Sequence, residues 1–268
     1  VNTDAVPERD TAAMTLIEHL RELRVRTTHA VVAAVIGVIV GWVFHEQVFT
    51  WLIDPYNAAM TLYHPDLPNT VSFRGIEEPF VVYLKTSVIG GMLVSMPYIL
   101  LQVWLFVGPG LHDNEKKLVA PFSLATMVCF LGGAAFCRYL VLEPAVGVLI
   151  SIGGEGTSPN IMMNEYFTFT TRLLLAFGML FEMPVMITFL SLIGVVSSSF
   201  LLKQWRYAVV LAFIAGGALT PPDPLSQAML AVPLLVLYFV SIGIAVLIER
   251  ARGPKVAEPS PDDSGDAE

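Results

Sequence analysis

Charge is what this chain has least of. Only 14% of its 268 residues are Asp, Glu, Lys or Arg, against roughly a quarter in a soluble globular domain. Together with 55% hydrophobic residues and a mean hydropathy of +0.67, that scarcity excludes an ordinary soluble domain and indicates an integral membrane protein. A basic face for nucleic acid is missing too, so that class is set aside. The formal net charge of −8 says little about a binding surface, because Glu258, Asp262, Asp263, Asp266 and Glu268 sit together in the last residues. Cysteine is almost absent. Cys129 and Cys137 lie in one apolar run, and eight helical residues separate them by about 12 Å along the axis, too far for a disulfide. They read as inert thiols and say nothing about redox compartment. No HExxH, GxxxxGK[ST] or CxxC occurs, and His29 and His45 have no partner at ligand spacing. A catalytic role, a metal and a cofactor therefore have no support. Residues 1–13 are polar with no apolar h-region, so no cleavable secretory signal is expected.

What the chain does have is long apolar runs. Thr15 and Glu18 have capping-box spacing, and Leu16, Leu20 and Leu23 follow on one stripe, which predicts a short amphipathic surface helix. A first span is expected at about 28–44, long enough to cross with its flanks. Residues 45–79 carry Trp51, Pro55, Tyr56, Tyr63 and Phe73, too aromatic for a disordered linker and suited to an ordered cap at the outer interface. Further spans are expected at 80–107, with Gly90-Gly91 for close packing and Pro97 as a kink, at 118–142, and at 166–196. Residues 143–164 read as a Gly-rich loop. The last two spans form a hairpin turning at Thr220-Pro221-Pro222-Asp223-Pro224. The fifth, 207–219, reaches only ~20 Å as a helix against a hydrocarbon core of ~30 Å. The sixth, 225–248, holds Ser226 and Gln227 in its first turn, so both are expected to sit shallow or to thin the bilayer.

Lys and Arg set the orientation. Arg9, Arg21, Arg24, Arg26, Lys116, Lys117, Lys203, Arg206, Arg250, Arg252 and Lys255 fall on one side, and Arg74 on the other. Both termini are therefore expected in the cytoplasm. The expected organisation is an all-α membrane domain over 1–252 and a disordered acidic tail over 253–268. Lys85, Arg138 and Arg172 fall near the outward ends of spans, where long cations usually snorkel to the interface.

Three carboxylates stand out. Glu22 lies in the basic collar His19-Leu20-Arg21-Glu22-Leu23-Arg24-Val25-Arg26. It fits either a surface pair with Arg26, worth about 0.3–0.5 kcal/mol, or a functional role. Glu115 either opens the third helix, where a carboxylate suits the dipole, or shares Glu22's purpose. Both fall on the cytoplasmic side, and two carboxylates there suit a ligand with paired guanidinium groups. Glu182 lies mid-span between apolar runs, beside Pro184, which removes a backbone donor and is expected to kink the helix. An ionisable group at that depth costs ~2.5–3.5 kcal/mol on insertion scales. Either it is protonated or paired against another helix, or it is functional. A proton-coupled small-solute transporter using Glu182 would show internal repeats with matched broken helices, and none is visible. A passive scaffold would not need Glu182.

With six spans, several stretches together resemble the TatC family, the multispanning subunit of the twin-arginine protein translocase. They are His19-Leu20-Arg21-Glu22-Leu23-Arg24, Pro55, Gln102-Val103-Trp104-Leu105-Phe106 with Pro109 and Leu111, and Glu115-Lys116-Lys117. Phe177-Gly178, Phe181-Glu182 with Pro184, and Thr220-Pro221-Pro222-Asp223 with Ser226-Gln227 complete the set. The resemblance covers about 17–248 and is specific in combination. It implies a glove-like six-helix bundle in the bacterial cytoplasmic membrane, with Pro97 and Pro184 helping its concavity. It also implies a receptor that binds twin-arginine signal peptides of folded cargo through Glu22 and Glu115, with Arg24, Phe106 and Leu111 beside them. By the same resemblance, Glu182 is an intramembrane polar site, Pro55 is structural, and Pro221, Asp223 and Gln227 lie where TatA and TatB dock. Several copies would assemble, and the proton-motive force would drive export. Arg138 and Arg172 depart from the family pattern.

Overall fold

The computed structural model describes residues 16–108, 117, 119–151, 160–220 and 224–252, and nearly all of them are helical. The chain falls into two compact units, Val1–Met179 and Leu180–Glu268. Five helical segments are long and apolar enough to cross a membrane: Ile17–Val43, Glu78–Val107, Val119–Ser151, Met163–Leu192 and Gln227–Arg250. A shorter apolar helix is Trp205–Leu219. The all-α membrane architecture stands.

In the first unit, α1 runs unbroken over Leu16–Val43, so the expected separate surface helix is absent. The charged collar and the apolar run share one helix because no Gly or Pro intervenes between Leu16 and Ile36. The Thr28 hydroxyl also bonds back to the Arg24 carbonyl at 2.8 Å, which keeps it within the helix. α1 packs along α3, Glu78–Val107, through small residues. A Cβ on Gly41 would land on the Ser87 carbonyl, and one on Gly91 would strike the Gly37 backbone. Lipid tails are as apolar as side chains, so helices here associate through such close packing and through hydrogen bonds rather than hydrophobic burial. The Gly90-Gly91 expectation is met at Gly91. Its counterparts Gly37 and Gly41 went unread. α3 continues through Pro97.

The expected interfacial cap is α2, a helix over His45–Tyr63 that contains Pro55. Proline has no N–H, so the Trp51 carbonyl four residues earlier loses its intrahelical donor. Arg138 replaces it, donating from Nε at 2.8 Å. Its guanidinium lies 5.3 Å from the Trp51 ring centroid and 5.2 Å from that of Tyr139, and reaches Asp54 Oδ2 at 3.4 Å. Arg138 is delivered by a π-helical turn, Cys137–Val141, that joins α4, Val119–Phe136, to α5, Leu142–Ser151. In that turn the Leu142 N–H bonds the Cys137 carbonyl, so one extra residue is accommodated without ending the helix.

Two expectations are corrected here. Arg138 does not snorkel; it is buried and held. The loop expected from 143 begins only after Ser151. Pro144 does not end the helix, which continues to Ser151, and Ala145, Val146 and Ile150 are buried while Tyr63 of α2 lies over Gly147. Lys85 is corrected as well, since its ammonium donates to Asn164 Oδ1 at 2.6 Å and Thr168 Oγ1 at 3.0 Å. Arg172 stays exposed, as expected. α6, Met163–Leu180, is anchored at its start by the Glu78 carboxylate, which accepts from the Asn164 N–H at 2.8 Å and the Arg74 N–H at 2.7 Å. Phe167, stacked on Phe49 at 4.7 Å, and Tyr166, donating to the Leu52 carbonyl at 2.7 Å, fix α6 to α2.

In the second unit, α7 covers only Met183–Leu192, ending four residues before the expected 196. Gly194 is the reason. At φ +79° it takes the left-handed conformation, with Gly194 N–H on the Ser191 carbonyl (3.1 Å) and Val195 N–H on that of Leu190 (2.9 Å), the two bonds of a Schellman stop. A short helix α8, Ser198–Lys203, begins at the Ser197 cap. Its first N–H is held from α10 by Glu249, which accepts the Ser198 N–H at 2.6 Å and also the Ser198 hydroxyl. α9, Trp205–Leu219, has 15 residues, about 22 Å of helix, and is short as expected. The sixth helix is not. α10 runs over Pro224–Arg252, 29 residues, because Pro224 supplies an N-terminal start that its fixed φ favours.

Candidate functional site

Several signals of the sequence meet between the N-terminal turns of α1 and the last turns of α3. His19, Glu22 and Arg26 recur at helical spacing on α1 and present one stripe. The His19 ring stacks on Phe106 with centroids 4.5 Å apart. One turn earlier on α3, Gln102 is buried and its side-chain carbonyl accepts from Arg26 NH1 at 3.4 Å. Arg26 NH2 also reaches Glu22 Oε1, at 3.5 Å. Both contacts are longer than the ~2.7–2.9 Å of a good charge-assisted bond. Glu22 Oε2 and Arg26 Nε are shielded from solvent and bonded to nothing. A groove of about 310 Å³ opens beside Arg26, lined by Leu23, Arg26, Ala30, Gln102, Val103 and Phe106. Glu22 and Phe106, singled out separately in the sequence, are thus brought to one place. Arg24 is on the exposed side of α1. Leu111 and Glu115 lie outside the described residues.

In the sequence Arg26 stood out as an anchoring charge and as a possible surface-pair partner of Glu22, and Gln102 only as part of the family motif, with no role of its own. The available signal was a Gln in an otherwise apolar run, which needs a polar partner when buried.

Glu182 lies in the turn between α6 and α7, at the N-cap of α7, with Pro184 just inside that helix. The expected kink is therefore a full break, since Pro184 suits a helix start and not a helix interior. The Glu182 side chain makes no capping bond. The residue is 8% exposed, its Oε1 has no hydrogen-bond partner, and among the described residues no cation pairs with it. Only its backbone carbonyl is used, by the Met186 N–H at 2.9 Å. The carboxylate is thus an acceptor inside an apolar segment that the surrounding fold leaves unfilled. At the α9–α10 hairpin, Gln227 Nε2 donates to the Phe213 carbonyl at 2.6 Å, and its side chain fills the space beside Gly216 and Gly217. Pro221 and Asp223 lie outside the described residues. Pro55 acts structurally, as set out above.

The profile of the family described as Sec-independent protein translocase protein (TatC) matches residues 18–233. The chain belongs to the TatC family. A relative from Koribacter versatilis, the Sec-independent protein translocase protein TatC, is 35% identical over 246 residues, 91% of this chain and 90% of its own length. That of Carboxydothermus hydrogenoformans is 36% identical over 237 residues, 88% of this chain and 94% of its own. Two solved structures agree. A crystal structure of the twin arginine translocase receptor TatC superposes with a TM-score of 0.73 at 30% identity, covering 86% of this chain and 99% of that one. Another, in DDM, gives 0.76 at 32% identity, over 85% and 99%. The chain is a multi-pass membrane component of the Sec-independent protein translocase. That membership sets aside the small-solute transporter.

Proposed function

We propose that this chain is the signal-peptide receptor of a twin-arginine translocase in a bacterial cytoplasmic membrane, with six spans and both termini in the cytoplasm. The observation that carries the reading is Glu22: a carboxylate at the membrane's basic end, with one oxygen shielded and unfilled and the other paired to an arginine that lines an apolar groove. A peptide with paired arginines followed by an apolar stretch complements both features, because guanidinium binds carboxylate through two parallel bonds. Glu115 takes the second arginine, with Phe106, Leu111 and Arg24 around the peptide. The solved relatives are themselves described as twin arginine translocase receptors.

Glu182 serves a later step. An unfilled acceptor at depth retains water or a polar group there, and the short α9 beside it thins the membrane. TatA, and TatB where one exists, dock at the α9–α10 hairpin near Pro221, Asp223 and Gln227. Several copies assemble, and the proton-motive force drives folded cargo across. Pull-down of the detergent-solubilised chain with a twin-arginine signal peptide, against its Lys-Lys counterpart, tests the receptor reading. Capture of the arginine peptide alone is expected; equal capture of both, or of neither, overturns it.

A further inference from the structure

We propose that Arg26 is a resident stand-in for the ligand's arginine, holding Glu22 in the empty receptor and stepping across to Gln102 when a peptide guanidinium arrives. The inference rests on the receptor reading of Glu22 and adds a competitor built into the same helix. Arg26 is shared between two acceptors, Glu22 Oε1 at 3.5 Å and Gln102 Oε1 at 3.4 Å, and is well bonded to neither. Its Nε and the second Glu22 oxygen are both shielded and both unpartnered. The two-bond geometry that guanidinium and carboxylate prefer is therefore available on both sides and not formed. An incoming guanidinium can form it.

Gln102 makes the exchange cheap. When the ligand takes Glu22, Arg26 keeps an acceptor, so no further shielded donor is orphaned, which would otherwise carry a full desolvation cost. Gln102 is neutral, so it holds Arg26 without attracting the ligand. A weak one-turn pair of this kind closes Glu22 only part of the time. The apparent affinity of every peptide is then reduced by the same factor, the fraction of receptor left open, about two- to fivefold. Arg26 thereby sets a threshold without changing which peptide is preferred.

The test uses the full chain in lipid nanodiscs, titrated with a synthetic Arg-Arg signal peptide and its Lys-Lys counterpart. Arg26→Gln is expected to tighten binding of both peptides two- to fivefold and leave the ratio of their Kd values unchanged. Gln102→Met is expected to weaken binding about twofold in the Arg26 background and to have no effect once Arg26→Gln is present. Arg26→Lys, which keeps the charge and the fold, is expected to fall between the wild type and Arg26→Gln. Simple charge repulsion predicts instead that Arg26→Lys matches the wild type and that Gln102→Met acts alike in both backgrounds; either result overturns the proposal. Glu22→Gln keeps the two questions apart. If it abolishes binding while Arg26→Gln leaves Kd unchanged or raised, the competitor is overturned and the receptor stands. If Glu22→Gln binds like the wild type, the receptor reading falls and the competitor with it.

Discussion

Arg138 and Glu182 are equally buried, each at 8% exposure, and the protein treats them in opposite ways. The fold surrounds the Arg138 guanidinium with a backbone carbonyl, a carboxylate and two aromatic rings. Glu182 sits at a helix start where it could cap, yet makes no capping bond and leaves Oε1 bare. A buried ionisable group whose partners are all supplied by the fold contributes to holding that fold. One left bare costs stability, and it persists only when something other than stability requires it. Burial alone does not separate these cases; partner geometry does.

The largest expected effect breaks the comparison at Glu182. Glu182→Ala should lower transport at least tenfold while the thermal midpoint of the purified protein stays level or rises, because an unsatisfied acceptor is removed. Equal loss of transport and stability would make Glu182 structural. Arg138→Met is expected to do the reverse, lowering stability by about 2 kcal/mol in a reversible denaturation assay. That is less than the ~3–5 kcal/mol of a fully buried pair, because Asp54 is 55% exposed. Pro55 sharpens this. In a Pro55→Ala background the new N–H can serve the Trp51 carbonyl, so Arg138→Met should cost about 1 kcal/mol less there. The smallest effect is Asp54→Asn, expected below about 1 kcal/mol as for other exposed pairs; a larger loss would place the weight of the cluster on the ion pair rather than on Trp51.

The residues that could be read from the sequence and those that could not differ in kind. Apolar run lengths made four long spans and a short fifth legible, since crossing a bilayer is a demand on length and composition. Glu22 and Glu182 were visible as charges in unusual company. Arg138 was visible too and was misread, because its role depends on a carbonyl freed by Pro55, 83 positions earlier in the chain, and on a π-helical turn with no compositional signature. The full length of α10 was missed because the Ser226-Gln227 pair suggested a shallow start, whereas Gln227 turns inward to the Phe213 carbonyl. The Gly37–Gly41 pair needed its partner Gly91 before its spacing meant anything. Local rules find elements; they do not find what one element does for another.

Glu22 stands between the two extremes, with one oxygen weakly paired and the other bare, and the functional account depends on it. The most direct measurement is photocrosslinking of a twin-arginine signal peptide to the membrane-embedded chain, wild type against Glu22→Ala. A drop of at least tenfold in crosslink yield at limiting peptide is the expected result. Undiminished crosslinking would contradict the assignment of Glu22 as the carboxylate that reads the arginines.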